Sequence, residues 1–103
     1  MNNHRRREVA KLEHRLELLS LHFEKDFLYT CISMLEDIKN DEEDAFFNMP
    51  ENLQGSMRGM ESEEAIDSLE EAIEYLEDLI DVEDDEEREE NIMMAISCLE
   101  DIC

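Results

Sequence analysis

The chemistry open to this chain is carried by carboxylates. Between Glu61 and Glu90 stand 17 acidic side chains and one basic one, Arg88. So many acids can serve a metal site, where several converge, or a polyanionic surface, where they spread apart. For the first use, Glu70-Glu71-Ala-Ile-Glu74 has the Glu-Glu-x-x-Glu spacing with which helical bundles hold magnesium for nucleotide hydrolysis. Glu63-Glu64-Ala-Ile-Asp67 and Glu86-Glu87-Arg-Glu-Glu90 come close to it. That reaction also needs facing carboxylates on a second helix and cations to hold phosphate. The acidic half offers only Arg58 and Arg88, so a magnesium-dependent hydrolase is the minor reading.

For the second use the acids are ordered. Glu63, Asp67, Glu70, Glu74, Glu77, Asp81 and Asp84 advance by alternating steps of four and three, which draws one line along a helix. If the whole stretch is helical, its charges lie about 2.6 Å apart along the axis, against ~1.7 Å for duplex DNA. These seven residues are the candidate partner-binding set. No catalytic residue, metal ligand or cofactor is expected. His4, His14 and His22 lack the Glu-x-x-His pattern of di-iron bundles, and residues 81–91 lack the glycine of a calcium loop. Cys31, Cys98 and Cys103 have apolar or acidic neighbours, which hold a thiol protonated.

Charge is divided unequally along the chain. Residues 1–25 carry six basic and four acidic side chains, whereas residues 26–103 carry three and 27. A body with that balance does not bind nucleic acid directly. The longest run without charge, Phe27 to Leu35, is too short to span a membrane, and no signal peptide is visible. An odd number of unpaired cysteines fits a cytoplasmic setting.

The elements that must position the acids are helices. Two Gly and one Pro all fall within residues 50–59, leaving long uninterrupted stretches on both sides. The expected fold class is all-α, a single domain forming an antiparallel helical hairpin or bundle with coiled-coil character. Residues 3–47 read as one long helix, with a phase shift near residues 23–28 that marks a stutter or kink. Residues 48–59 form the connection, where Pro50 opens a short helical turn and Gly55 closes it in the left-handed conformation. Residues 60–82 read as an acidic amphipathic helix that starts between Ser56 and Ser62, with Ser62 as candidate cap, and carries a seam of Ile66, Leu69, Ile73, Leu76 and Ile80. Residues 83–91 are an acidic turn or a helix extension, and residues 92–103 a short amphipathic helix. Unless that last stretch covers the seam, a second copy must, so a homodimer is expected.

The stretch Phe47-Asn-Met-Pro-Glu-Asn-Leu-Gln-Gly-Ser-Met-Arg-Gly59, with Asp41-Glu-Glu-Asp-Ala45 before it and Glu64 to Ile73 after, resembles a group of small acidic helical proteins of phages and prophages of Gram-positive bacteria. The similarity covers residues 35–82. It implies a mobile-element setting in a bacterial host cytoplasm and carries over no activity. With the carboxylate line, it points to a non-enzymatic DNA mimic. Such a decoy would inhibit a host nucleic-acid-binding or defence protein, for example a restriction or CRISPR nuclease, a repressor or a nucleoid protein. The alternative is a structural or adaptor coiled coil whose acids are only a solvated face.

Overall fold

The computed structural model describes residues 1–102; Cys103 lies outside the described residues. Five α-helices follow in order, α1 (Asn3–Leu21), α2 (Lys25–Phe47), the single turn α3 (Glu51–Gln54), α4 (Met57–Asp78) and α5 (Asp85–Glu100), with a 3-10 turn at Leu79–Asp81 between the last two. The four long helices repeat one spacing of buried residues. It is Val9, Leu12, Leu16 and Leu19 in α1, Leu28, Cys31, Leu35 and Ile38 in α2, Leu69, Ala72 and Leu76 in α4, and Ile92, Ala95, Ile96 and Leu99 in α5. A helix with apolar residues at every third or fourth position must bury one stripe, and four such stripes close around a single core.

The result is an all-α, up-down-up-down bundle of 47 × 19 × 18 Å. α4 packs against α2 on one flank and α5 on the other, and α1 closes the ring between α2 and α5. Cross-contacts give the antiparallel register: Arg5 with Glu42 and Arg15 with Met34 for α1 and α2, Glu42 with Ser62 for α2 and α4, Glu71 with Cys98 for α4 and α5.

Several expectations are corrected. Residues 3–47 are not one helix: the phase shift is a complete reversal, and α1 and α2 form a hairpin. The turn needs no glycine, because His22 and Glu24 are simply extended. Residues 83–91, expected as a turn or a helix extension, hold a turn and then a new helix: Glu83 and Asp84 complete a link after extended Val82, and α5 starts at Asp85. Gly55 is right-handed, with φ −85°, and no described residue has a positive φ. Ser62 does not cap α4, which begins at Met57 after Ser56. Of the expected seam Leu69, Ile73 and Leu76 are buried, while Ile66 and, in the 3-10 turn, Ile80 are half-buried; Ala65 and Ala72 complete the stripe, because α4 faces two helices rather than one. That stripe is covered by α2 and α5 of the same chain, which removes the motive for a homodimer.

Arg88 joins the two reversals. Its guanidinium lies 4.3 Å from the centre of the Phe23 ring in the first link, while Nε donates to the Val82 carbonyl (3.1 Å) in the second. Gly59 is needed for packing. A Cβ there would stand 2.0 Å from the Gln54 carbonyl oxygen, where α3 lies against the first turn of α4. Gln54 cannot yield easily, since its side-chain amide donates to the Met49 carbonyl at 2.9 Å. Gly59→Ala is expected to lose about 1–3 kcal/mol through overpacking, read as a lower urea midpoint with an unchanged m value. An unchanged midpoint would mean that α3 lifts away at no cost.

Candidate functional site

All seven acids of the expected line are exposed, but they do not share one helix. Glu63, Asp67, Glu70, Glu74 and Glu77 run along the outer face of α4, within an arc of about 80° at 100° per residue. Asp81 lies beyond the end of that helix, in the 3-10 turn. Asp84 caps α5 instead, its Oδ1 accepting from the Glu86 backbone N–H at 3.0 Å. The continuous 30-residue rod is therefore replaced by a row of five carboxylates spanning about 21 Å of α4. Glu64, Glu71 and Asp78 form a second exposed row about 80° round the same helix.

Lys39 of α2 is the cation that reaches the first row, with Nζ 3.6 Å from Glu70 and 3.5 Å from Glu43. No other ion pair to the five acids is found among the described residues. Of the N-terminal basic residues, Arg5 is held by Glu42, and exposed Arg6 lines a polar groove of about 580 Å³ shared with Glu61, Glu64, Asp67 and Asp101.

The metal motif comes apart in three dimensions. Glu70 leans towards Lys39 of α2, whereas Glu71 turns to α5, where the Cys98 thiol lies 3.6 Å from its carboxylate. Adjacent acids of the motif thus diverge to opposite flanks of α4. Among the described residues no three His, Cys, Asp or Glu side chains are grouped to hold a metal ion. The three histidines are exposed, with His22 Nε2 3.3 Å from Glu24.

Neither described thiol is an activated nucleophile. Burial pushes Cys31 up to about 11, opposed only by Arg15. Burial also raises Cys98, helped by the charge of Glu71 and its hydrogen bond. No helix among the described residues is long and apolar enough to cross a membrane.

Two features escaped the sequence reading. Glu42 is buried to 1% exposure and receives three donors: the Met1 amino group at 3.3 Å, Arg5 Nε at 2.6 Å and Ser62 Oγ at 2.7 Å. The available signal was phase, since Glu42 continues the step of Leu35 and Ile38, and Ser62 that of Ala65 and Leu69. The second is Phe47, which leaves the core immediately after buried Phe46 and borders a notch beside the carboxylate row. Its signal was an aromatic one position past the seam. No family model matches this chain, nor does any curated protein or solved structure.

Proposed function

We propose that this chain is a non-enzymatic acidic decoy, which uses the outer face of α4 to occupy the nucleic-acid site of a DNA-binding protein. The observation that carries the reading is the exposed row from Glu63 to Glu77, in which Glu70 with Lys39 is the one ion pair among the described residues, held on a helix whose opposite side is packed into the core. Fixed anions on a rigid support attract a basic groove without an ordering cost, and steering makes the encounter fast and salt-dependent. A mobile-element setting, which the resemblance of residues 35–82 implies, would make a host protein the target. In the adaptor alternative the acids are only a solvated face, and the contact would be made through an apolar helix face. The apolar stripes are occupied by the chain's own helices, which favours the carboxylate face as the contact surface.

The test is displacement. Bacterial proteins retained on heparin are loaded on a resin carrying single-stranded and duplex DNA, and this protein is added at rising concentration. One or a few proteins should elute at low micromolar concentration or below at physiological salt. An equally acidic unstructured polypeptide should elute them only non-selectively or not at all. If nothing elutes, or if both elute the same set, the decoy reading is wrong.

A further inference from the structure

Beside the carboxylate row, where the end of α2 meets the first half of α4, lies an apolar notch of about 310 Å³. Phe46 and half-buried Ile66 contribute its apolar lining, and Phe47 borders it with 69% of its surface exposed. The Phe47 ring stands edge to face with Phe46, at 5.6 Å between centroids and 66° between planes, which leaves it broadly accessible. The remaining lining is anionic. Lys39 pairs with Glu43 and Glu70, while Glu63 and Asp67 have no ion-pair partner among the described residues.

The charges decide what fits here. A purely apolar partner segment would bury unpaired carboxylates at the rim, which is costly. The complementary surface therefore has Lys or Arg side chains flanking an aromatic or guanidinium plane. That combination is how proteins hold single-stranded nucleic acid, with cations along the backbone and a flat side chain stacked on each exposed base. A duplex-binding groove has little use for a lone exposed ring, because the bases it meets are already stacked on one another.

We propose that Phe47 stands in for an unstacked nucleobase and Glu63 and Asp67 for its flanking phosphates, so that the partner is a single-strand nucleic-acid-binding protein. This inference rests on the decoy reading and names the class of its target. Phe47 would stack on the partner's aromatic or guanidinium face, and the carboxylates would pair with its Lys and Arg side chains.

The experiment divides the displacement assay between two resins, one carrying oligo-dT and one carrying duplex DNA of the same length, both loaded with heparin-retained bacterial proteins. Wild type is compared with Phe47→Ala and with the triple variant Glu70→Lys, Glu74→Lys, Glu77→Lys, after circular dichroism has established that both remain helical. Wild type should elute protein from oligo-dT at a concentration at least about tenfold below that needed on duplex. Phe47→Ala should raise the oligo-dT midpoint by roughly 5- to 150-fold, the range for one lost base-aromatic stack. Elution that favours duplex or is equal on both, or an unchanged midpoint for Phe47→Ala, overturns the single-strand assignment. The decoy reading survives that result provided the triple variant is inactive. If the triple variant matches wild type, or if wild type elutes nothing from either resin, the decoy reading fails and this inference with it.

Discussion

Replacing Glu42 by alanine is expected to cost about 3–5 kcal/mol of folding stability, because it strips a buried ionic cluster of its only anion. The carboxylate is 1% exposed and ties three elements at one end of the bundle: Met1 and Arg5 at the start of α1, its own α2, and Ser62 of α4. Without it, the Met1 amino group and the Arg5 guanidinium lose their shared anion, and Arg5, its side chain 17% exposed, has too little water to replace it. Glu42→Gln keeps the volume and can still accept from Ser62, so it should lose less than alanine does. Urea unfolding at pH 7 reads both.

The sign of the pH dependence follows from the same contacts. Burial alone would raise the Glu42 carboxyl, but the Ser62 hydrogen bond, the terminal ammonium and Arg5 outweigh it and hold the group below the ordinary range. The native state then binds fewer protons than the unfolded chain at pH values between the folded value and the usual 4.5. The contribution of Glu42 is thus complete above that window and lost as pH falls through the folded value. Glu13 acts in the opposite sense. Burial and the charges of Glu100 and Glu17 raise its carboxyl, so protonating it favours the native state. The difference between wild type and Glu42→Gln removes the Glu13 contribution, which both share. That difference should be constant above about pH 5 and shrink as the solution is acidified below pH 4. A gap that widened on acidification would contradict the ion-pair account.

How far the fold could be read from the residues differs from element to element. The outer ends of the first helical stretch, Asn3 and Phe47, and the reversal around Pro50 were legible, because Asn2 caps α1 and the only proline stands at the connection. The reversal at His22–Glu24 was not, and that at Val82–Asp84 was legible only as one of two alternatives, a turn or a helix extension. Sequence marks a turn mainly where the backbone must take a positive φ or lacks a donor, and these links use extended residues that any side chain allows. The phase shift at Phe23 recorded the first reversal, but a stutter and a hairpin leave the same trace in apolar spacing. The carboxylate line was legible only within α4. Its steps of three and four continue past Asp78 into a turn, since charged residues suit an exposed link as well as an exposed helix face. Glu42 was hidden among Asp41, Glu43 and Asp44, because burial depends on which helix lies opposite, and that followed from the unread hairpin.

The binding prediction with the largest effect concerns the charges of the row. Changing Glu70, Glu74 and Glu77 together to lysine should leave the fold intact and remove target binding. The three side chains are exposed on α4, and the one ion pair lost is that of half-exposed Glu70 with Lys39, worth less than about 1 kcal/mol. New lysines would sit one turn from Asp67, Glu71 and Asp78, relieving repulsion along the helix, so the melting temperature should hold or rise. Each reversal changes the charge by two, taking the net charge from −22 to −16, so the protein as a whole stays strongly acidic. A partner whose cationic groove fits the row would instead meet three like charges, each costing up to several kcal/mol in contact. Displacement from the DNA resins should weaken by on the order of 100-fold or more at physiological salt. The affinity that remains should also depend less steeply on salt, because fewer opposite charges meet. An adaptor surface elsewhere on the bundle predicts a different pattern, with these three acids nearly silent. Full displacement by the triple variant would therefore assign the acids of α4 to solubility and move the contact surface off this face.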